Sequence, residues 1–172
     1  MLKRSSFFAL LVCALALSSS HAVHAKDSAA QSANRKVIVA SYARLDQART
    51  GKNIAPIASL LADDFRFYSI ARLQQDRETY LRIQVNAWNI SRSIAKKDVP
   101  MRFDTKITQW QWRGPDAIVW TTLAFKTTGV GAQTSGLVRS REYWGKTSKG
   151  WQVRQVVELS GNMTMNGETI EM

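Results

Sequence analysis

Four side chains of this chain have the chemistry to move a proton without a cofactor: Tyr42, Asp63, Asp64 and Glu158. A carboxylate beside a phenol can enolise a carbonyl compound, the step that cofactor-free isomerases, cyclases and dehydratases share. Asp63 and Asp64 are adjacent, and a proton shared between paired acids shifts one pKa strongly. Adjacent residues at a helix end also diverge, and short acidic residues there commonly fix the next turn, so the structural reading of this pair leads. Tyr42 shares a face with Ile38 and Leu45, where a tyrosine is more often a core or pocket-wall residue than an acid.

Other chemistries are excluded by what is missing. The two histidines and the one cysteine all fall within the first 25 residues. That stretch reads as a secretory signal: Lys3 and Arg4, an apolar run of 11 residues from Phe7 to Leu17, then Val23-His24-Ala25 as a small-residue cleavage site. Val12 before Cys13 does not suit a lipoprotein signal. After cleavage no Ser-His-Asp arrangement, cysteine nucleophile, or thiolate or imidazole zinc site can be built. No carboxylate spacing suggests a metal, and no cofactor is expected.

The processed chain would hold 147 of the 172 residues, enough for one domain with a real core. It would be periplasmic or secreted, from a bacterium, with no further apolar run near the roughly 20 residues a membrane helix needs. Lys3 and Arg4 lie in the signal, so 22 basic residues stand against 13 acidic ones, a formal +9. The basic residues are scattered, with Lys96-Lys97 the longest cluster, which describes a solvated surface rather than a nucleic-acid partner.

Local patterns then supply the elements that must position these groups. Residues 26–34 read as a flexible polar leader. A helix from about Arg35 to Arg49, capped by Ser32 or Asn34, ends at Thr50-Gly51-Lys52-Asn53. A short helix capped by Asn53 ends at Asp63-Asp64. A short strand carries Phe65, Phe67 and Ser69, with Tyr68 opposite. A third helix, capped by Asp76, runs from about Arg77 to Ile90 on Leu81, Val85 and Trp88. Period-two segments follow: Met101 to Thr108, Ala117 to Thr127, Leu137 to Lys146 and Trp151 to Leu159, with a loop over 129–136 and a loose tail over 161–172. Helices first and strands after mean an α+β fold, with three helices on one face of a strongly curved antiparallel sheet.

This order resembles the nuclear transport factor 2-like superfamily, which includes SnoaL-like cyclases and ketosteroid isomerases. The resemblance rests on Tyr42-Ala43-Arg44-Leu45 with the break at Gly51 and Ile57 to Phe65, on Asp116 to Thr121, on Arg139 to Trp144 and on Gly150-Trp151-Gln152-Val153. Together these span residues 35–160. The resemblance implies a cone with an apolar pocket at its open end and, in many members, dimerisation through the outer sheet face. It places Tyr42 at the position of the isomerases' first-helix tyrosine and Ser69 where their carboxylate base falls, and serine cannot be that base. It places Gln155 and Val157 where many SnoaL-like members carry histidines.

Trp88, Trp120, Trp144 and Trp151 can wall a pocket for a flat apolar ligand, with core packing the favoured reading, and Trp88 and Trp120 are the two taken as ligand contacts. With them, Tyr42, Phe67, Ser69 and Gln155 form the expected ligand-binding set, while Tyr42, Asp63, Asp64 and Glu158 are the catalytic candidates. Period two places Trp151, Val153, Gln155 and Val157 together, facing inward. Arg139 and Arg141 share a face, outward being the safer reading, and together with Arg154 they would clamp an anion if turned inward. Glu142 and Glu158 each alternate with apolar neighbours and can face either way. Trp110 and Trp112 share a face that suits a dimer interface. The leading expectation is an exported, dimeric domain that binds a small apolar or carbonyl-containing ligand. The alternatives are a cofactor-free enzyme and an assembly module with a filled pocket. A binder needs an open apolar cavity of roughly 300 Å³ or more.

Overall fold

The computed structural model describes residues 27–95, 98–129 and 132–171. The signal segment and Lys96-Lys97 lie outside the described residues.

Helix α1 spans Ala29–Thr50. It starts earlier than expected because Ser28 forms a capping box with Gln31: the Ser28 Oγ accepts from the Gln31 amide at 3.2 Å, and the Gln31 Oε1 accepts from the Ser28 amide at 2.9 Å. Residues 29–34 are therefore helical rather than a flexible leader. Gly51 ends α1, its amide donating to the Gln47 carbonyl at 2.8 Å. Helix α2, Ile54–Leu60, is capped by Asn53 as expected. It stops before Asp63-Asp64, because Leu61 is already extended and paired, and strand β1 runs Leu61–Tyr68. Strand β2, Gln74–Asp76, leads into α3, Arg77–Ala95, where Asp76 accepts the Thr79 amide at 2.8 Å. Among the described residues no helix is long and apolar enough to cross a membrane.

The remaining strands are β3, Met101–Arg113; β4, Asp116–Gly129; β5, Ala132–Thr147; β6, Gly150–Met165; and β7, Glu168–Glu171. The sheet order is β2-β1-β6-β5-β4-β3, with β7 also on β6. The sheet is mixed rather than antiparallel, because β1 lies parallel to β6. The segment expected as a loose tail is the end of β6 folded back on β7. Likewise β5 pairs back as far as Ala132 with Gly129, where a loop was expected. The three helices pack on one face of this curved open sheet. Ile38, Tyr42 and Leu45 of α1 and Trp88 of α3 are buried there, as their spacing predicts.

Bulges decide which strand residues face that interior. Trp144 pairs with Val153 and Tyr143 with Gln155, so Arg154 is an extra residue that shifts the phase of β6. Before it, Trp151 and Val153 face inward; after it, Val156 and Glu158 do, and Gln155 and Val157 turn outward. The expected inward set is thus split in two. Arg139 and Arg141 alternate with the buried Ser140 and Glu142 and face outward, with Trp120 opposite Arg141. A second bulge at Thr108 turns Trp110 and Trp112 inward, where Arg35 lies 5.1 Å from the Trp110 ring and Asp27 accepts the Trp112 Nε1–H at 3.0 Å. Asp27, just before α1, and Arg35, within it, thus lie against those two rings.

Gly136 and Gly145 separate two kinds of glycine. A Cβ on Gly136 would lie 2.6 Å from the Asn162 carbonyl and from the Phe125 ring, whereas one on Gly145 would meet mainly the movable Arg154 side chain. Gly136→Ala should lower unfolding free energy in urea by about 1–3 kcal/mol, and Gly145→Ala by under about 1 kcal/mol. Equal effects would contradict the described register.

Candidate functional site

A buried hydrogen-bonded group ties α1 to the centre of the sheet. The Tyr42 hydroxyl donates to Glu142 Oε2 at 2.9 Å and accepts the Trp144 Nε1–H at 2.9 Å. The Thr121 hydroxyl donates to Glu142 Oε1 at 3.0 Å. Tyr42 is 3% exposed and Glu142 9%. Helical spacing brings Tyr42 inward, and strand pairing sets Val119 opposite Glu142 and Ala117 opposite Trp144, so the acceptor arrives where the phenol points.

Arg49, two turns along α1, supplies the counter-charge. Its guanidinium bonds Asp46 at 3.3 Å, and Tyr80 lines the same cavity as Arg49. Burial opposes its charge, but Tyr80, Glu142 and Asp46 outweigh burial and hold the guanidinium protonated. Asp46 in turn accepts the Thr105 amide and hydroxyl, each at 2.7 Å, so the cation is fixed to β3 as well as to α1.

Burial pushes the Glu142 carboxyl up from its usual 4.5, against the pull of the Tyr42 hydrogen bond, Arg49, Thr121 and Trp144. Burial also raises Tyr42 well above 10.0, and the neighbouring Glu142 charge raises it further. Glu158 is raised by burial too, opposed by a hydrogen bond from the Ile70 amide.

These groups border a cavity of about 60 Å³ inside the cone. Arg49, Glu142, Glu158, Thr105, Thr121 and Ser140 are its polar lining, and Phe65, Phe67, Tyr80 and Val156 are among its aromatic and apolar walls. Glu142 and Glu158 sit diagonally on neighbouring strands, since Glu142 pairs with Val156 and Ser140 with Glu158. The interior space is far below the roughly 300 Å³ of a drug-sized pocket. The expectation of a wide apolar pocket is therefore corrected to a small one with polar groups in its lining.

The structure disperses the expected site residues. Phe67 and Glu158 line the cavity, and Tyr42 lies behind Glu142 with its hydroxyl fully engaged. Trp88 is core. Asp63 faces solvent, its side chain 77% exposed, where Lys149 holds it below 3.8 through hydrogen bonds of 3.0–3.1 Å. Asp64 is also exposed, 3.8 Å from Arg154. Ser69 accepts the Leu73 amide in the turn after β1, and Gln155 lies with it on an outer groove of about 610 Å³ that Glu158 also borders. Trp120 is on the outer face. Arg49 and Tyr80 carry no sequence signal beyond their helices, and Glu142 was legible only as a carboxylate alternating with apolar residues. Among the described residues, no group of three or more histidine, cysteine or acidic side chains is placed to hold a metal.

Removing the Tyr42 hydroxyl leaves both Trp144 Nε1 and Glu142 Oε2 short of a partner. Tyr42→Phe should cost about 2–4 kcal/mol by urea denaturation, one desolvation penalty for each group. Carboxyl-detected NMR titration should place Glu142 and Glu158 above 4.5 and Asp63 below 3.8. The folded state binds the Glu142 proton more tightly than the unfolded chain does. Its stabilising effect is therefore full below pH 4.5 and is lost as pH rises through the folded midpoint. Glu142→Gln should flatten that decline in Tm against pH.

No family model and no curated protein matches the chain in sequence. Solved structures do match in shape. A conserved protein from Planctomyces limnophilus superposes with a TM-score of 0.63 at 18% identity, over 82% of this chain and 99% of that one. A type 2 hexachlorocyclohexane dehydrochlorinase, LinA, superposes at 0.61 and 11% identity, over 81% and 89%. An NTF2-like protein from Cytophaga hutchinsonii superposes at 0.55 and 15% identity, over 72% and 95%. With three helices on a mixed, curved, open sheet and these likenesses over most of the chain, the protein has the nuclear transport factor 2-like fold.

Proposed function

We propose that the chain is an exported small-molecule-binding domain whose ligand sits in the cone interior. The observation that carries this reading is the convergence of Arg49, Glu142 and Glu158, from three separate elements, on one aromatic-walled cavity. Its volume of about 60 Å³ matches roughly two waters at about 30 Å³ each. A guanidinium has five donors, so Arg49 can serve Asp46 and still offer others to a ligand oxygen. The ligand of this reading is therefore a molecule of only a few non-hydrogen atoms, far smaller than the sequence led us to expect, with an acceptor oxygen such as a carbonyl toward Arg49 and a donor toward Glu158. Residues 1–25 support export. Pairing through the outer sheet face is supported by Trp120, Tyr143 and Val157 on that face and by Leu137 and Leu159, which are 46% and 48% exposed. Solved neighbours of the same fold include a protein from Catenulispora acidiphila in complex with S-DNPA.

Glu158 supports a second reading, a proton-transfer enzyme. Glu142 is pinned by Tyr42 and Thr121, whereas Glu158 is raised by burial and borders both the inner cavity and the outer groove. One neighbour of this fold is named a dehydrochlorinase.

Native mass spectrometry of the exported form, purified gently from its envelope, tests the first reading. The expected spectrum is a dimer with a small excess mass per subunit that leaves on unfolding. Ser140→Val places methyl groups in the cavity and should remove that excess without loss of fold. Bare subunits in repeated preparations would instead make this an assembly domain with a filled cone. For the second reading, the bound molecule should gain deuterium in heavy water, and Glu158→Gln should stop the exchange while retaining the molecule.

A further inference from the structure

A second concavity, of about 320 Å³, lies outside the cone where α1, α2, the first turn of α3 and the β5–β6 turn meet. It shares no lining residue with the interior cavity. Three cations from three elements line it: Arg44 of α1, Arg77 of α3 and Lys149 of the turn. No lining residue is acidic. Asp63, not itself a lining residue, pairs with Lys149 in an exposed contact that water screens.

Two features distinguish this place from an ordinary basic surface. First, its two arginines are held in place by the fold. The Arg77 Nη2 donates to the Ala58 carbonyl at 2.8 Å, and the Arg44 Nη2 donates to the Ser41 hydroxyl at 3.0 Å. The wall opposite is fixed by Gln152, whose amide donates to the Ser59 carbonyl at 2.9 Å. Second, the partly buried Arg77 guanidinium lines the groove and has donors beyond the one that the Ala58 carbonyl takes. Val37, 48% exposed, and Leu60 give the same groove an apolar side.

We propose that this groove is an oxyanion site, taking a phosphate-type group between Arg44, Arg77 and Lys149. Two guanidinium forks match a tetrahedral oxyanion through paired hydrogen bonds, and the lysine adds a point charge. The apolar side has room for the organic part of a phosphate ester.

The test is a ¹⁵N NMR titration with inorganic phosphate and, separately, phenyl phosphate. Both should shift the amides of Lys149 to Gln152 and the side-chain Nε–H of Arg44 and Arg77. Arg44→Glu and Lys149→Glu reverse exposed charges and leave the Arg77 contact to Ala58 intact. Each should weaken binding by roughly tenfold or more, given the loss of a charge-assisted bond and the added repulsion. Their amide spectra elsewhere verify the fold. A stronger response to phenyl phosphate, with Val37 also shifting, makes the ligand an organic phosphate; an equal response makes it the free anion. Either result supports the site. Silence of these amides up to about 20 mM phosphate at low salt, or binding that persists unchanged in both variants, overturns it.

Discussion

The hydrogen bond from Tyr42 to Glu142 is the contact on which the rest of the interior depends. A carboxylate taken out of water costs more than any single contact returns, unless donors surround it. Here Tyr42 and Thr121 donate to it directly, Trp144 holds Tyr42, and Arg49 supplies charge. Meeting that requirement fixes the rotation of α1, the register of β5 on β4 and the rotamer of a fully buried tryptophan. The edge-to-face contact of Tyr42 and Trp144, with ring centroids 5.3 Å apart, follows from the same constraint. The acid works as a specificity device as well as a candidate ligand contact. A helix rotated by one residue would strand Glu142 without Tyr42.

A chain of such fixings runs outward from that point. Arg49 is clamped by Asp46, and Asp46 by Thr105, so α1 is tied to β3 as well as to β5. The Thr105 amide is engaged by a helix side chain while its residue pairs with Leu123 of β4, which covers part of the edge strand β3. Unpaired strand edges invite association, and a carboxylate from the packed helix blocks this one. At the start of the same edge strand, Lys52 reaches Asp98 and the Val99 carbonyl, joining the α1–α2 turn to the segment that enters β3.

The two cavities divide the charge of the protein between unlike environments. Inside, two carboxyls and one guanidinium border a small space, and burial works on both acids. Outside, three cations share a groove with no acidic lining residue. The strong positive charge of the chain is thus not spread evenly over its faces. The same turn that carries Lys149 into the outer groove also feeds β6, whose bulge at Arg154 points Glu158 into the inner cavity.

Much of the architecture was legible because it depends on local periodicity. Ile38, Tyr42 and Leu45 announce their helix face, Asn53 and Asp76 their caps, and Met101 to Ile107 their strand, since each signal is carried by residues within two turns or a few strand positions. The α+β class follows from the order of such segments. Tertiary structure alone decided the site. One extra residue reverses every side chain beyond it in a period-two strand, so the bulge at Arg154 turned Gln155 out and Glu158 in without leaving a mark in composition. Asp63 and Asp64 were conspicuous as a pair yet ended in solvent, because Leu61 left the helix early to join β6. Arg49, Glu142 and Tyr80 meet across more than 30 positions of sequence, and only packing brings groups so far apart in the chain to one wall.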